Sequence, residues 1–198
     1  MIKAIKNNKI VYASPKNIAK CPLCKQIVIA KCGEIKTWHW AHKSNIDCDD
    51  WSEPESQWHI NWKNEFPEKQ QEVIIRNHIA DIKTKDGLII ELQHSPLSAE
   101  KIRDREEFYG NMIWLLDGKT IGKNLNLREK DYGFSFRWKH PPKSWWNAKK
   151  PIYFDLHFDR IFLIKKLYSN IPCGGYGILI TKQQFLNEVK NGKGKTNK

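Results

Sequence analysis

What this sequence has least of is uninterrupted apolar stretch and negative charge. No run of ~18 apolar residues occurs, so no membrane-spanning helix is expected. The opening segment MIKAIKNNKIVYAS lacks the apolar core of a signal peptide, which argues against export. Cysteines are few: five, an odd number, two of them in Cys-x-x-Cys spacing. That excludes a fully paired disulfide framework and points to a reducing cytoplasm, with thiols available for a metal. No internal repeat is present, so a solenoid is not expected. Gly174-Gly-Tyr-Gly177 has no strand–helix fingerprint around it, which removes a phosphate loop and leaves a flexible connection. Acidic residues number 22 against 34 basic ones, a net charge of +12. Such an excess favours a polyanionic partner, nucleic acid above all, through counterion release. Hydrophobic residues reach 40%, enough for a core, so wholesale disorder is excluded. The length allows one substantial domain with a small satellite.

What is present begins with a ligand cluster. Cys21-Pro-Leu-Cys24 precedes His39-Trp-Ala-His42, and Cys48 follows. Thiolates and imidazoles around one ion in tetrahedral geometry suit structural zinc. Two of the three candidates His39, His42 and Cys48 must complete the site begun by Cys21 and Cys24. The simplest count takes both histidines; alternatively Cys48 replaces His39, with His42 a ligand either way. Cys32 reads as a small buried apolar residue in a strand. A module this short buries little apolar surface, so the ion would supply much of its folding energy. A closed ligand set leaves no open position for catalysis.

The second informative stretch runs from Ile79 to Gln93. Two apolar-rich runs flank Lys85-Asp86-Gly87, and Asp-Gly between such runs signals a hairpin. Alternation puts Leu88, Ile90 and Leu92 on one face and Ile89, Glu91 and Gln93 on the other. Burying a carboxylate and an amide is costly without partners. Asp81 from the preceding run would meet Glu91 and offer hard oxygen ligands to Mg²⁺ or Mn²⁺. The bland alternative is an exposed hairpin with a solvated polar face.

Around that stretch, Ser52-Glu-Pro-Glu55 reads as a helix start with Ser52 as N-cap and Glu55 closing a capping box. Glu55, His59 and Lys63 then share a face, while Trp58, Trp62 and Phe66 form an apolar stripe that Pro67 ends. Residues 72–76 and 78–82 read as strands. Ser98 caps a helix over Ala99–Tyr109 whose Arg103 and Arg105 would reach phosphate. Met112–Leu116 is a continuous apolar run, the mark of a strand buried on both faces. Farther on, Phe134–Lys150 mixes aromatics with cations: Phe136 and Trp138 should alternate into a strand, with a partial phosphate-binding role for the cations. Ile152–Leu167 reads as a strand start and a helix, Ile178–Ile180 as a strand and Gln183–Val189 as a helix. The tail Lys190–Lys198 should be disordered.

Taken together, Cys-x-x-Cys, His-Trp-Ala-His, Glu55-Ser-x-x-His59, Asp81, Glu91-x-Gln93-x-Ser95, Arg105, Tyr109 and Ile113-Trp114 resemble the CoiA-like competence proteins. The blocks Phe136-Arg-Trp-Lys-His-Pro and Lys150-Pro-Ile-Tyr-Phe-Asp155 extend the resemblance, which covers roughly Cys21 to Phe185. It implies a mixed α/β chain: a restriction-endonuclease-like, PD-(D/E)xK-type central mixed sheet flanked by helices, preceded by a small zinc-binding module. The corresponding segments are 1–50 for the module, 51–120 for the nuclease-like core, 121–189 for a C-terminal α+β extension and 190–198 for a basic tail. Asp81 and Glu91 would be ligands to Mg²⁺ or Mn²⁺, Glu55 an auxiliary acid, and Gln93 would stand where the superfamily usually has lysine. Lys63 or Lys101 would then supply the missing cation, and Lys63, Arg103, Arg105 and Tyr109 would contact nucleic acid. The function implied is a Mg²⁺-dependent nuclease acting on DNA in competence or recombination, with recombination proteins as further partners. The alternative is a nucleic-acid-binding adaptor with the same fold and a decayed site.

Overall fold

The structure, a computed structural model, describes residues 1–34, 37–43, 48–51, 55–168 and 173–192. They form two compact units, residues 1–83 and 84–198.

The first unit opens with strands β1 (Lys3–Lys6), β2 (Lys9–Tyr12), β3 (Ile18–Lys20), β4 (Ile27–Lys31) and β5 (His39–His42). They pair antiparallel in the order β2-β1-β3-β4-β5. The core of this sheet is small: Ala4, Ala19, Cys21, Val28 and Trp40. Cys32 lies just past β4 and is only half-buried. Helix α1 (Gln57–Lys63) follows, then the antiparallel strands β6 (Gln71–Ile75) and β7 (His78–Lys83). The N-cap of α1 is Ser56, whose hydroxyl accepts from the His59 N–H. Imidazole closes that capping box, so Glu55 is released from the capping role expected of it; Ser52 lies outside the described residues. Trp62 and Phe66 are buried as their stripe implied.

The second unit begins with a turn: the Thr84 N–H donates to Leu88 O, and Gly87 takes φ +81°, the left-handed region that glycine enters at no steric cost. Strands β8 (Ile89–Gln93), β9 (Met112–Asp117), β10 (Leu125–Lys130), β11 (Gly133–Trp138), β12 (Ile152–Asp155), β13 (Arg160–Tyr168) and β14 (Gly174–Thr181) form a mixed sheet ordered β10-β11-β14-β13-β12-β9-β8. β8, β9 and β12 are parallel neighbours and the remaining pairs are antiparallel. Helix α2 (Ala99–Tyr109) connects β8 to β9 with the Ser98 cap expected, and α3 (Lys182–Lys190) ends the described chain. Every residue of β9 is buried, as its unbroken apolar run required. Trp114 packs edge-on against Trp145, their centroids 5.2 Å apart.

Two readings of the C-terminal third are corrected. Residues 160–168 are a strand, not a helix, because they ladder with β14 from Arg160 to Tyr168 and with β12 at Ile161, Phe162 and Leu163. The segment Gly174–Gly177 is not a flexible connection but the start of β14. A Cβ at Gly175 would run into the Lys166 carbonyl, so glycine here serves close strand approach. Residues 193–198 of the expected tail lie outside the described residues. Among the described residues, no helix is long and apolar enough to cross a membrane.

Candidate metal centre and charged clusters

Cys21 and Cys24 leave the end of β3 in a tight turn, the Lys25 N–H donating to Cys21 O and the Cys21 N–H to Gln26 O. That turn aims both sulfurs at the end of β5. There His42 Nε2 lies 3.2 Å from Cys24 Sγ, and Cys48 Sγ lies 3.7 Å from Cys21 Sγ. The ligand atoms of Cys21, Cys24, His42 and Cys48 all fall within 4.8 Å of one another. Two thiolates on one tetrahedral zinc, at Zn–S distances of about 2.3 Å, stand about 3.8 Å apart, which is the spacing of Cys21 and Cys48. His39 takes the other course: its Nδ1 lies 2.8 Å from Thr37 O and it stands outside the cluster. Burial, then the neighbouring thiols, push the Cys48 thiol up, and burial raises Cys21. A bound cation reverses that balance, because coordination favours thiolate. The set is therefore chemically suited to zinc, and it holds four ligands with none to spare.

A second cluster in the same unit carries its own cation. Lys63, on the last turn of α1, is fully buried, with its ammonium 2.7 Å from Glu55 Oε1, 3.2 Å from Glu72 Oε1 and 3.1 Å from Asp81 Oδ1. Burial alone would lower its pKa; the carboxylates of Glu72, Asp81 and Glu55 instead hold it well above the ordinary lysine value. Glu72 answers in kind. Burial pushes its carboxyl up, but Lys63, the N-terminal ammonium and the N–H groups of Ile2 and Lys3 bring it down to about 2. Its two oxygens accept from those N–H groups at 2.8 and 2.9 Å, tying β1 to β6. Nearby, Asp49 accepts from the Ile79 N–H and sits 2.9 Å from His78 Nδ1, while Trp51 stacks on that imidazole at 3.5 Å. Asp49, Asp50 and His78 have ligand atoms within 4.8 Å of one another, but both Asp49 oxygens are already engaged in fastening the segment to β7.

In the second unit, Glu91 on β8 is buried with Oε2 3.1 Å from Arg105 Nη1 of α2. Arg105 is thus an interior partner of a carboxylate, not a surface cation; Lys63 is likewise interior. Gln93 is fully buried and its Nε2 donates to Ser95 O at 2.7 Å. Of the remaining residues expected to contact nucleic acid, Arg103 is exposed beside Asp104, and Tyr109 is half-buried with its ring edge-on to Phe108. Lys101 is exposed.

Several charged residues with structural consequence went unremarked in the sequence. Glu72 reads as an ordinary strand residue. Glu106 is buried, accepting from Trp114 Nε1 and from the Lys149 and Lys150 N–H groups. Asp117 sits at the end of β9 with one oxygen 2.8 Å from His94 Nδ1 and the other 3.0 Å from His157 Nε2. A carboxylate at the carboxyl end of a buried parallel strand is the available signal for that last group.

Residues 5–50 match the family model described as Competence protein CoiA, N-terminal domain. No significant match was found among curated proteins or among solved structures. The matched segment holds all four members of the thiol–imidazole cluster, so the likeness to the CoiA N-terminal domain covers the candidate metal centre.

Proposed function

We propose that the chain is a metal-dependent nuclease acting on DNA in competence or recombination. On this reading a zinc-stabilised N-terminal domain precedes a restriction-endonuclease-like core, and the protein works in the cytoplasm alongside recombination proteins. The observation that carries the reading is the Lys63 ammonium held 3.1 Å from Asp81. Gln93 leaves the site without the superfamily's usual lysine, and Lys63 supplies a positive charge at the first of the two acidic positions. Its raised pKa keeps it protonated, so it acts as an electrostatic stabiliser and not as a base. Glu55 and Glu72 position it. Asp81 and Glu91 would hold Mg²⁺ or Mn²⁺, which when bound polarises the scissile phosphate and acidifies a water. Their oxygens suit a hard cation, although Asp81 is ion-paired to Lys63 and Glu91 to Arg105, so a divalent ion must compete with both bases.

That competition favours one second reading, a nucleic-acid-binding adaptor whose acids are permanently neutralised. Cleavage assays on DNA in Mg²⁺ and Mn²⁺ separate the two. The nuclease reading expects activity in the wild type and its loss in Asp81→Ala and Glu91→Ala. The adaptor expects no metal-dependent cleavage, with DNA binding retained in both variants. A wild type that cleaves, with both variants cleaving equally well, overturns the proposed site.

A further inference from the structure

The outer part of the second unit's sheet carries a pattern that cleavage does not use. Partners in an antiparallel ladder share a face. Arg128 of β10 pairs with Ser135 of β11, Ser135 with Tyr176 of β14, and Tyr176 with Lys166 of β13. A second row, two residues along, runs Asn126, Arg137, Gly174 and Tyr168. One face of four adjacent strands therefore presents Arg128, Arg137 and Lys166 with Tyr168 and Tyr176, and Lys130 follows Arg128 by two positions. Phe134, Phe136 and Phe162 are on the opposite side, where Phe136 packs edge-on against the buried Phe162. The tyrosines are not covered: Tyr132, Tyr168 and Tyr176 are 68%, 49% and 40% exposed. Tyr132, in the β10–β11 turn, sets its ring perpendicular to that of Tyr176.

Charge is one-sided here as well. Among the described residues, no carboxylate forms an ion pair with Arg128, Lys130, Arg137 or Lys166. Glu129 pairs with Phe134 and so belongs to the other face. A lone exposed tyrosine needs no explanation. Two in adjacent rows, a third against them, and four cations without acidic partners make a surface whose chemistry matches a polyanion with accessible planar bases.

We propose that this face is a binding platform for single-stranded nucleic acid, the tyrosines stacking on bases and Arg128, Arg137 and Lys166 meeting the phosphates. It names the form of nucleic acid taken up, and rests on the proposed function only for the polymer being DNA. Duplex bases are already stacked on one another and offer no faces to Tyr168 and Tyr176, so the single strand is the occupant the tyrosines select.

The test is fluorescence anisotropy with the full chain, a labelled oligothymidylate and a duplex of equal length, in EDTA so that nothing is cleaved. The wild type should prefer the single strand. Tyr176→Ala should weaken binding about tenfold, while Tyr176→Phe, which keeps the ring, binds as wild type. Arg128→Gln with Arg137→Gln should reduce the slope of log affinity against log salt by about 1.4, at about 0.7 for each phosphate no longer neutralised. Circular dichroism checks that each variant is folded. Equal affinity for duplex, or Tyr176→Ala binding like the wild type, overturns the platform; a face built for a protein partner gives that second result. Asp81→Ala assayed in parallel keeps the readings separate, because its single-strand binding should persist whether or not the wild type cleaves.

Discussion

Two polar clusters within the first compact unit gather crowded ligand-type side chains in opposite ways. Cys21, Cys24, His42 and Cys48 converge without a lysine or arginine among them, and burial disfavours ionising Cys21 and Cys48. Glu55, Glu72 and Asp81 converge on the ammonium of Lys63. The first arrangement is complete only with an ion from outside; the second brings its cation on α1. The difference follows from the surrounding core. Around the thiols the buried residues are few and small apart from Trp40, so the sheet has little besides coordination to hold it. Lys63 follows the buried Trp62 on α1, with buried Phe66 just beyond, so this element has its own apolar stripe. There the charges need only be neutralised, not supplied.

The largest effect should come from breaking the first cluster. Cys21→Ser, or a strong zinc chelator, should cost the N-terminal sheet its fold, since structural zinc contributes on the order of 10 kcal/mol in small modules. Metal analysis should find one zinc per wild-type chain and none in the variant. Hydrogen exchange should show protection lost over β1–β5. A variant that keeps its protection without metal would show that the small apolar core suffices.

Next in size is Lys63→Met. Removing the ammonium leaves three carboxylates facing one another with no compensating charge, a loss of about 3–5 kcal/mol. Urea denaturation measures it. Glu55→Gln with Lys63→Met should recover part of that loss, because one of the opposed charges is gone. Additivity of the two substitutions would mean that they are not in one network.

The two clusters were unequally legible in the sequence. Cys-x-x-Cys and His-Trp-Ala-His are local signals, and with Cys48 they bound the zinc set to five residues from sequence alone. The choice between His39 and Cys48 depended on which side of β5 faces the thiol turn, something that spacing does not fix. Lys63 was visible only as one face of a helix with Glu55. Glu72 and Asp81 come from two strands, and nothing in their local sequence says that they meet an ammonium. Helix α2 and strand β9 are readable because a cap residue, Ser98, and an unbroken apolar run are local features. Strand β13 is not, because its conformation is imposed by ladders to β12 and β14.

A smaller, pH-dependent effect probes the carboxylate side of the comparison. Glu72 has its pKa depressed from 4.5 to about 2, so its contribution is present above about pH 4.5 and is lost as pH falls towards 2. The wild type should lose stability across that window, on the order of 3 kcal/mol from this group. Glu72→Gln should be less stable near neutrality and show a flatter profile in acid. Identical acid profiles for the two proteins would place the titrating group elsewhere.

The smallest expected effect sharpens the metal side. His39 and His42 share strand β5 and are three residues apart, but only His42 reaches the thiols. His39 Nδ1 meets the Thr37 carbonyl, one partly buried hydrogen bond worth about 1 kcal/mol. His39→Ala should therefore keep one zinc per chain and unfold at nearly the wild-type denaturant concentration. Cys48→Ser removes a thiolate from a set with no spare ligand, and should release zinc far more readily under chelator competition. Cobalt in place of zinc gives a second readout. The sulfur-to-metal absorption should diminish in Cys48→Ser and be unchanged in His39→Ala, since only the former removes a thiolate. Were His39→Ala to lose its metal while Cys48→Ser kept it, the ligand set would be the two cysteines and two histidines, and Cys48 a free thiol lying beside it.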